Sequence, residues 1–107
     1  MDTRVLYKVT FLSAGRIYAL YARRVGSSSL WGFTEVADLV FDVNDGVVVD
    51  PTEERLRDEF ADTRVLHLPM QSVLRVEEVD RKGAAVIRDA ASGENVVTPF
   101  PVPAKPR

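Results

Sequence analysis

No cysteine occurs anywhere in the chain. That absence excludes disulfide scaffolds, thiol nucleophiles, iron–sulfur clusters and cysteine-ligated zinc, and it fits a reducing compartment such as a bacterial cytoplasm. Histidine occurs once, as His67. A histidine metal centre therefore has no second ligand, and carboxylates alone favour only weakly held hard cations. A serine hydrolase would have His67 as its only histidine base, and no G-x-S-x-G motif is present. Gly15, Gly26, Gly32, Gly46, Gly83 and Gly93 are scattered, so no glycine-rich phosphate loop exists. The run from Asn44 to Asp50 lacks the full acidic pattern of a calcium loop. No apolar run follows Met1-Asp2-Thr3-Arg4 as a signal peptide requires, and none approaches the roughly 20 residues that span a membrane. These gaps predict a cytoplasmic, non-enzymatic protein with no cofactor, no metal and no membrane partner.

What is present is ordinary globular composition, 46% hydrophobic and 28% charged over 107 residues, the size of one domain. The net charge of −2 is unevenly spread. Residues 1–31 carry five bases against Asp2 alone, residues 32–62 carry ten acids against Arg55 and Arg57, and residues 63–107 carry seven bases against five acids. Either the opposite charges meet across the fold or the molecule has one basic and one acidic face.

The clearest architectural signal is Thr63 to Val79. Two β-rich runs, 63–68 and 73–79, flank Leu68-Pro69-Met70-Gln71-Ser72. Proline cannot donate a ladder hydrogen bond, so Pro69 ends the first strand. A strand, one tight turn and another strand is how small barrels of the SH3 and Sm type close. Residues 4–12 alternate as a half-buried strand, Gly15 supplies a turn, and residues 16–25 return, apolar on both faces. Gly26-Ser27-Ser28-Ser29 reads as a flexible loop. Residues 33–42 read as a strand bulged near Ala37-Asp38. Asn44-Asp45-Gly46 reads as a turn and Val47 to Val49 as an extended run. Asp50-Pro51-Thr52-Glu53 is a helix start, with Asp50 as cap, Pro51 in the first turn and Glu53 completing a capping box. The helix runs to about Phe60 and buries Leu56 and Phe60; its other acids form a solvated face with Arg55 and Arg57. A last strand spans 84–88. The expectation is a mainly β fold, an SH3/Sm-like bent antiparallel sheet or barrel of five to six strands with one helix at about 51–60. The alternative is an α+β fold with a second helix at 34–41. Residues 1–90 form the domain, and 91–107 form a proline-rich, disordered tail.

Four stretches in this order, YKVTFLSAGRIYALYARRV, LWGFTEVADLVF, VDPTEERLRDEF and LHLPMQSVLRVEEV, resemble the small Gram-negative bacterial proteins of domain-of-unknown-function family 1820. The resemblance covers roughly residues 5–88. It implies a cytoplasmic single-domain protein without established activity, and it brings no catalytic residues.

One constellation has functional content. Arg16, Tyr18 and Arg24 share one side of the return strand, Arg23 falls on the other, and Trp31 and Phe33 follow. Arginine with aromatic rings suits base stacking and phosphate contact. It equally suits a protein interface, where Tyr, Trp and Arg are typical anchors. Arg16, Tyr18, Arg24 and Trp31 are therefore the candidate binding residues. The expected function is a small module recognising a protein partner or a second copy of itself. A nucleic-acid-binding barrel is the alternative, disfavoured by a pI near 5.4.

Overall fold

The computed structural model describes residues 5–42 and 50–96. The Asn44-Asp45-Gly46 turn, the Val47 to Val49 run and the tail beyond Val96 lie outside the described residues. Strands β1 (Leu6–Ser13) and β2 (Arg16–Ser27) form a hairpin in which Val9 faces Leu20 and Phe11 faces Tyr18. All four side chains are buried. The two-residue turn has Ala14 at φ 53 and Gly15 at φ 77. Positive φ at both positions is the twist that a two-residue hairpin requires. Gly26 and Ser27, expected in a loop, continue β2 and pair with Glu35 and Thr34. β2 is apolar on both faces because it is the centre of the molecule. One edge holds β1; the other holds β6 (Val86–Asp89) along Arg16 to Ala19 and β3 (Phe33–Val40) along Tyr21 to Ser27.

β3 overturns the alternative of a helix at 34–41. Val36 lies in the core and Leu39 packs against it, the three-residue spacing that resembled a helical stripe. The cause is that both faces of this stretch meet the core: Val36 lies opposite Val25 and Leu39 opposite Ala22 on β2, and Ala22 is in the core while Val25 packs on it. Asp38 between them takes φ 57, a conformation that Asp is among the few non-glycine residues to adopt. The ladder to β2 keeps one register on both sides of Asp38, from Ala22↔Leu39 to Arg24↔Ala37. The irregularity sits where a bulge was expected but adds no residue to the ladder.

β4 (Val65–Pro69) pairs with β3, and β5 (Val73–Val79) pairs with β1. The sheet order is β4-β3-β2-β1-β5, with β6 beside β2. β4 and β5 are thus opposite ends of the path, yet one 3-10 turn, Met70–Ser72, joins them. Four Cα steps hold those ends within about 15 Å. The sheet must curl strongly, but among the described residues β4 and β5 do not pair. The architecture is a bent, six-stranded antiparallel sheet, and the barrel form is not reached.

Helix α1 (Pro51–Glu59) packs on this sheet through Leu56, which is fully buried. Asp50 Oδ1 accepts from the amides of Thr52 at 3.0 Å and Glu53 at 3.3 Å, and Pro51 begins the first turn. Asp50→Ala removes that acceptor and is expected to cost about 1 kcal/mol in urea titration; a loss below about 0.3 kcal/mol would mean that the cap does not hold the helix. Phe60 is the C-cap and meets Tyr18 edge-on at 6.1 Å.

Glu53 departs from expectation. Its carboxylate does not close a capping box but is buried and reaches distant groups: the Asp42 amide at 2.7 Å, the Ala85 amide at 3.2 Å and Lys82 Nζ at 2.7 Å. Lys82 also meets Asp42 Oδ2 at 3.3 Å and lies over the Tyr21 ring. This node ties the end of β3, the helix and the approach to β6 together. A Cβ at Gly83 would stand 2.8 Å from the Tyr21 hydroxyl, so a larger residue there must displace that side chain.

The chain expected to fray after residue 90 is held as far as Val96. Asp89 Oδ1 accepts from the Ala91 and Ser92 amides, which hold its carboxyl below the usual carboxylate range. The Val96 amide donates to the Ile87 carbonyl, and Val96 packs on the core.

Candidate interaction surface

The four candidate residues are not gathered into one site. Arg16 and Arg24 stand eight residues apart on β2, roughly 26 Å along an extended strand. Tyr18 is buried, stacked on Phe11 with ring centroids 5.0 Å apart, and its hydroxyl donates to Glu59 Oε2 at 3.1 Å. Burial first, and then the hydrogen bond and charge of Glu59, push its phenol above the ordinary range. Tyr18 is a core residue and offers no exposed ring face. Arg24 Nε meets Asp38 Oδ2 at 3.1 Å, and its Nη1 meets Glu35 Oε2 at 3.3 Å. Arg23 Nη1 donates to the Val5 carbonyl at 3.2 Å. Much of the basic hairpin is thus engaged within the fold, Arg24 by acids of the segment that follows it.

Trp31 is different. It is 95% exposed, in the turn between β2 and β3. Leu30, 49% exposed, precedes it. Met70, 60% exposed, stands on the 3-10 turn between β4 and β5. The two turns are fastened to each other by the Met70 amide, which donates to the Gly32 carbonyl at 2.9 Å. Trp31, Gly32, Phe33, Pro69, Met70 and Gln71 line one shallow groove.

The backbone beneath Trp31 is held from both sides. The Ser28 amide donates to the Phe33 carbonyl, and the Phe33 amide to the Leu30 carbonyl, each at 3.1 Å. Ser28 Oγ accepts from the Leu30 amide at 2.8 Å and lies 2.7 Å from His67 Nδ1. Gly32 takes φ 81, which lets the chain turn under the indole. His67 therefore has a structural partner and supports the tip from β4. Ser28 is likewise a bracing residue, although its serine-rich stretch reads as a linker.

This tip and the curled sheet that carries it lie within a recognised family. A family model described as Domain of unknown function (DUF1820) matches residues 5–102. The chain belongs to that family. The DUF1820 match spans all six strands, the helix and both turns of the tip, and extends past Asp89 through the segment held by Val96. No curated protein and no solved structure matches the chain. No helix among the described residues is long and apolar enough to cross a membrane.

Leu30 and Met70 were not legible as site residues. Each is one apolar residue in a turn; Leu30 is Trp31's chain neighbour, and Met70 is brought to Trp31 by the pairing of β3 with β4 and the hydrogen bond between the two turns. The sequence signal was weak: two large apolar side chains, Leu30 and Trp31, in a segment bounded by serines and a glycine.

Proposed function

We propose that this DUF1820 chain is a non-enzymatic binding module that recognises a protein partner through the tip formed by Leu30, Trp31 and Met70. The observation that carries the reading is the exposure of Trp31 on a braced backbone. A tryptophan left in water forgoes the burial of roughly 150–250 Å² of side chain. Holding its backbone in place reduces the ordering cost that binding would otherwise incur. Exposed aromatic anchors with a flexible methionine beside them are typical of protein contact surfaces. The lack of cysteine supports a reducing compartment such as a bacterial cytoplasm for that encounter. The sole histidine and Ser28 lie in the brace beneath this tip, with Ser28 Oγ 2.7 Å from His67 Nδ1 and accepting from the Leu30 amide. The arginines that would meet phosphates are spread along β2, Arg24 is ion-paired, and Tyr18 has no free face. These observations argue against the nucleic-acid reading.

The test is capture from native cell extract, with the wild-type chain and Trp31→Ala as parallel baits, each with and without nuclease. The expected result is a defined protein, retained after nuclease, whose recovery falls about tenfold or more with Trp31→Ala. Loss of all captured material on nuclease treatment, or equal recovery by both baits, would overturn the proposal.

A further inference from the structure

We infer that β5 is a self-association edge and that two copies of the chain pair through it, antiparallel, about a two-fold axis at Val76. The inference is independent of the Trp31 tip. Among the described residues β5 pairs with β1 alone, so its second edge presents unpaired backbone amides and carbonyls. Such an edge is a template for another strand. Two of its apolar residues are exposed: Leu74 is 55% and Val76 43% accessible.

The charges select the register. A two-fold axis that joins two antiparallel edges stands perpendicular to the sheet and keeps every side chain on its own face. Because side chains alternate, the axis must pass through a residue and not between two. An axis at Arg75 sets Arg75 against its own copy. An axis at Glu77 or Glu78 sets a glutamate against itself. An axis at Leu74 brings no opposite charges together and falls where the ladder to β1 shifts register, between Thr10 and Phe11. At Val76 the valines meet, and Arg75 of each copy stands opposite Glu77 of the other, twice over. Arg75 and Glu77 share the outer face, opposite Thr10 and Lys8 of β1, so neither must leave the core to make this contact. Opposite charges in directly facing positions favour pairing, and like charges disfavour it. The residues that penalise the registers centred on Arg75 and Glu77 favour this one.

The experiment is sedimentation equilibrium on the purified full chain, with circular dichroism to verify folding. Wild type is expected to show a concentration-dependent monomer–dimer equilibrium. Arg75→Glu and Glu77→Arg are each expected to weaken dimerisation at least tenfold, since each sets like charges together twice. An equimolar mixture of the two variants is expected to recover dimer. In the mixed pair the two introduced side chains face each other with opposite charge, and the unsubstituted Glu77 of one chain faces the unsubstituted Arg75 of the other. Trp31→Ala is expected to dimerise like wild type. A wild-type chain that stays monomeric, single variants that dimerise normally, a mixture that fails to recover, or a dimer lost with Trp31→Ala would each overturn the inference. Failure of the Trp31 partner proposal would show in experiments on native extract and would leave this equilibrium unchanged.

Discussion

Glu53→Ala is expected to lower the stability of the folded chain by about 3–5 kcal/mol, because removing one member of a buried ion pair leaves the other charged and uncompensated. Three groups lose their acceptor together: Lys82 Nζ, the Asp42 amide and the Ala85 amide. Lys82 cannot simply turn to solvent, since only 11% of its side chain is accessible, and its remaining partners are Asp42 and the adjacent Gly83 carbonyl. The loss is structural as well as electrostatic, for Asp42 follows β3, Ala85 precedes β6, and the Glu53 carboxylate bonds both. Glu53→Gln keeps an oxygen for an amide and should cost less than Glu53→Ala. Urea titration of the three chains checks this order. A Glu53→Ala midpoint within error of wild type would show that the node does not join the helix to the sheet.

Leu56→Ala is expected to cost about 2–5 kcal/mol. Leu56 is fully buried, and it is the buried apolar residue of a helix only nine residues long. So short a helix is not stable in water by itself, so its existence depends on what that face buries. Removing the side chain leaves a cavity against the core cluster that includes Val9, Leu20 and Ile87. Denaturant unfolding should report the loss with an unchanged slope. A cost below about 1 kcal/mol would mean that the site collapses around the smaller residue.

The parts of the fold that local chemistry decides were legible in the sequence. Alternation from Val5 to Phe11 marked β1, Pro69 marked the end of β4, and Asp50 with Pro51 marked the helix start. Family membership was legible in four stretches read together. Long-range choices were not. Glu53 in the fourth position of a D-P-T-E run satisfies a local pattern, yet Ala85, 32 residues away, competes for its carboxylate and wins. Val36 and Leu39 sit on opposite faces of one strand, and both faces are covered, so their three-residue spacing mimics a helical stripe. Nothing local says that β4 and β5 approach without pairing, because the curl of the sheet is set by five strands at once. Of the four candidate residues, Trp31 is fully exposed in its turn. Arg16, Tyr18 and Arg24 do not gather beside it. Their common alternation class says only that they start on one side of a strand, whereas β2 twists along twelve residues, and Phe11, Phe60 and Glu59 cover Tyr18.

The claim that the Trp31 tip is a protein contact surface is tested most directly by photo-cross-linking in native extract. A benzophenone amino acid replaces Met70, beside Trp31, in one chain and Arg88, on β6, in another. Discrete protein adducts are predicted from position 70, resistant to nuclease and lost when Trp31→Ala is added to the same chain. Adducts from position 88 alone, or adducts at position 70 that persist without the indole, would contradict it.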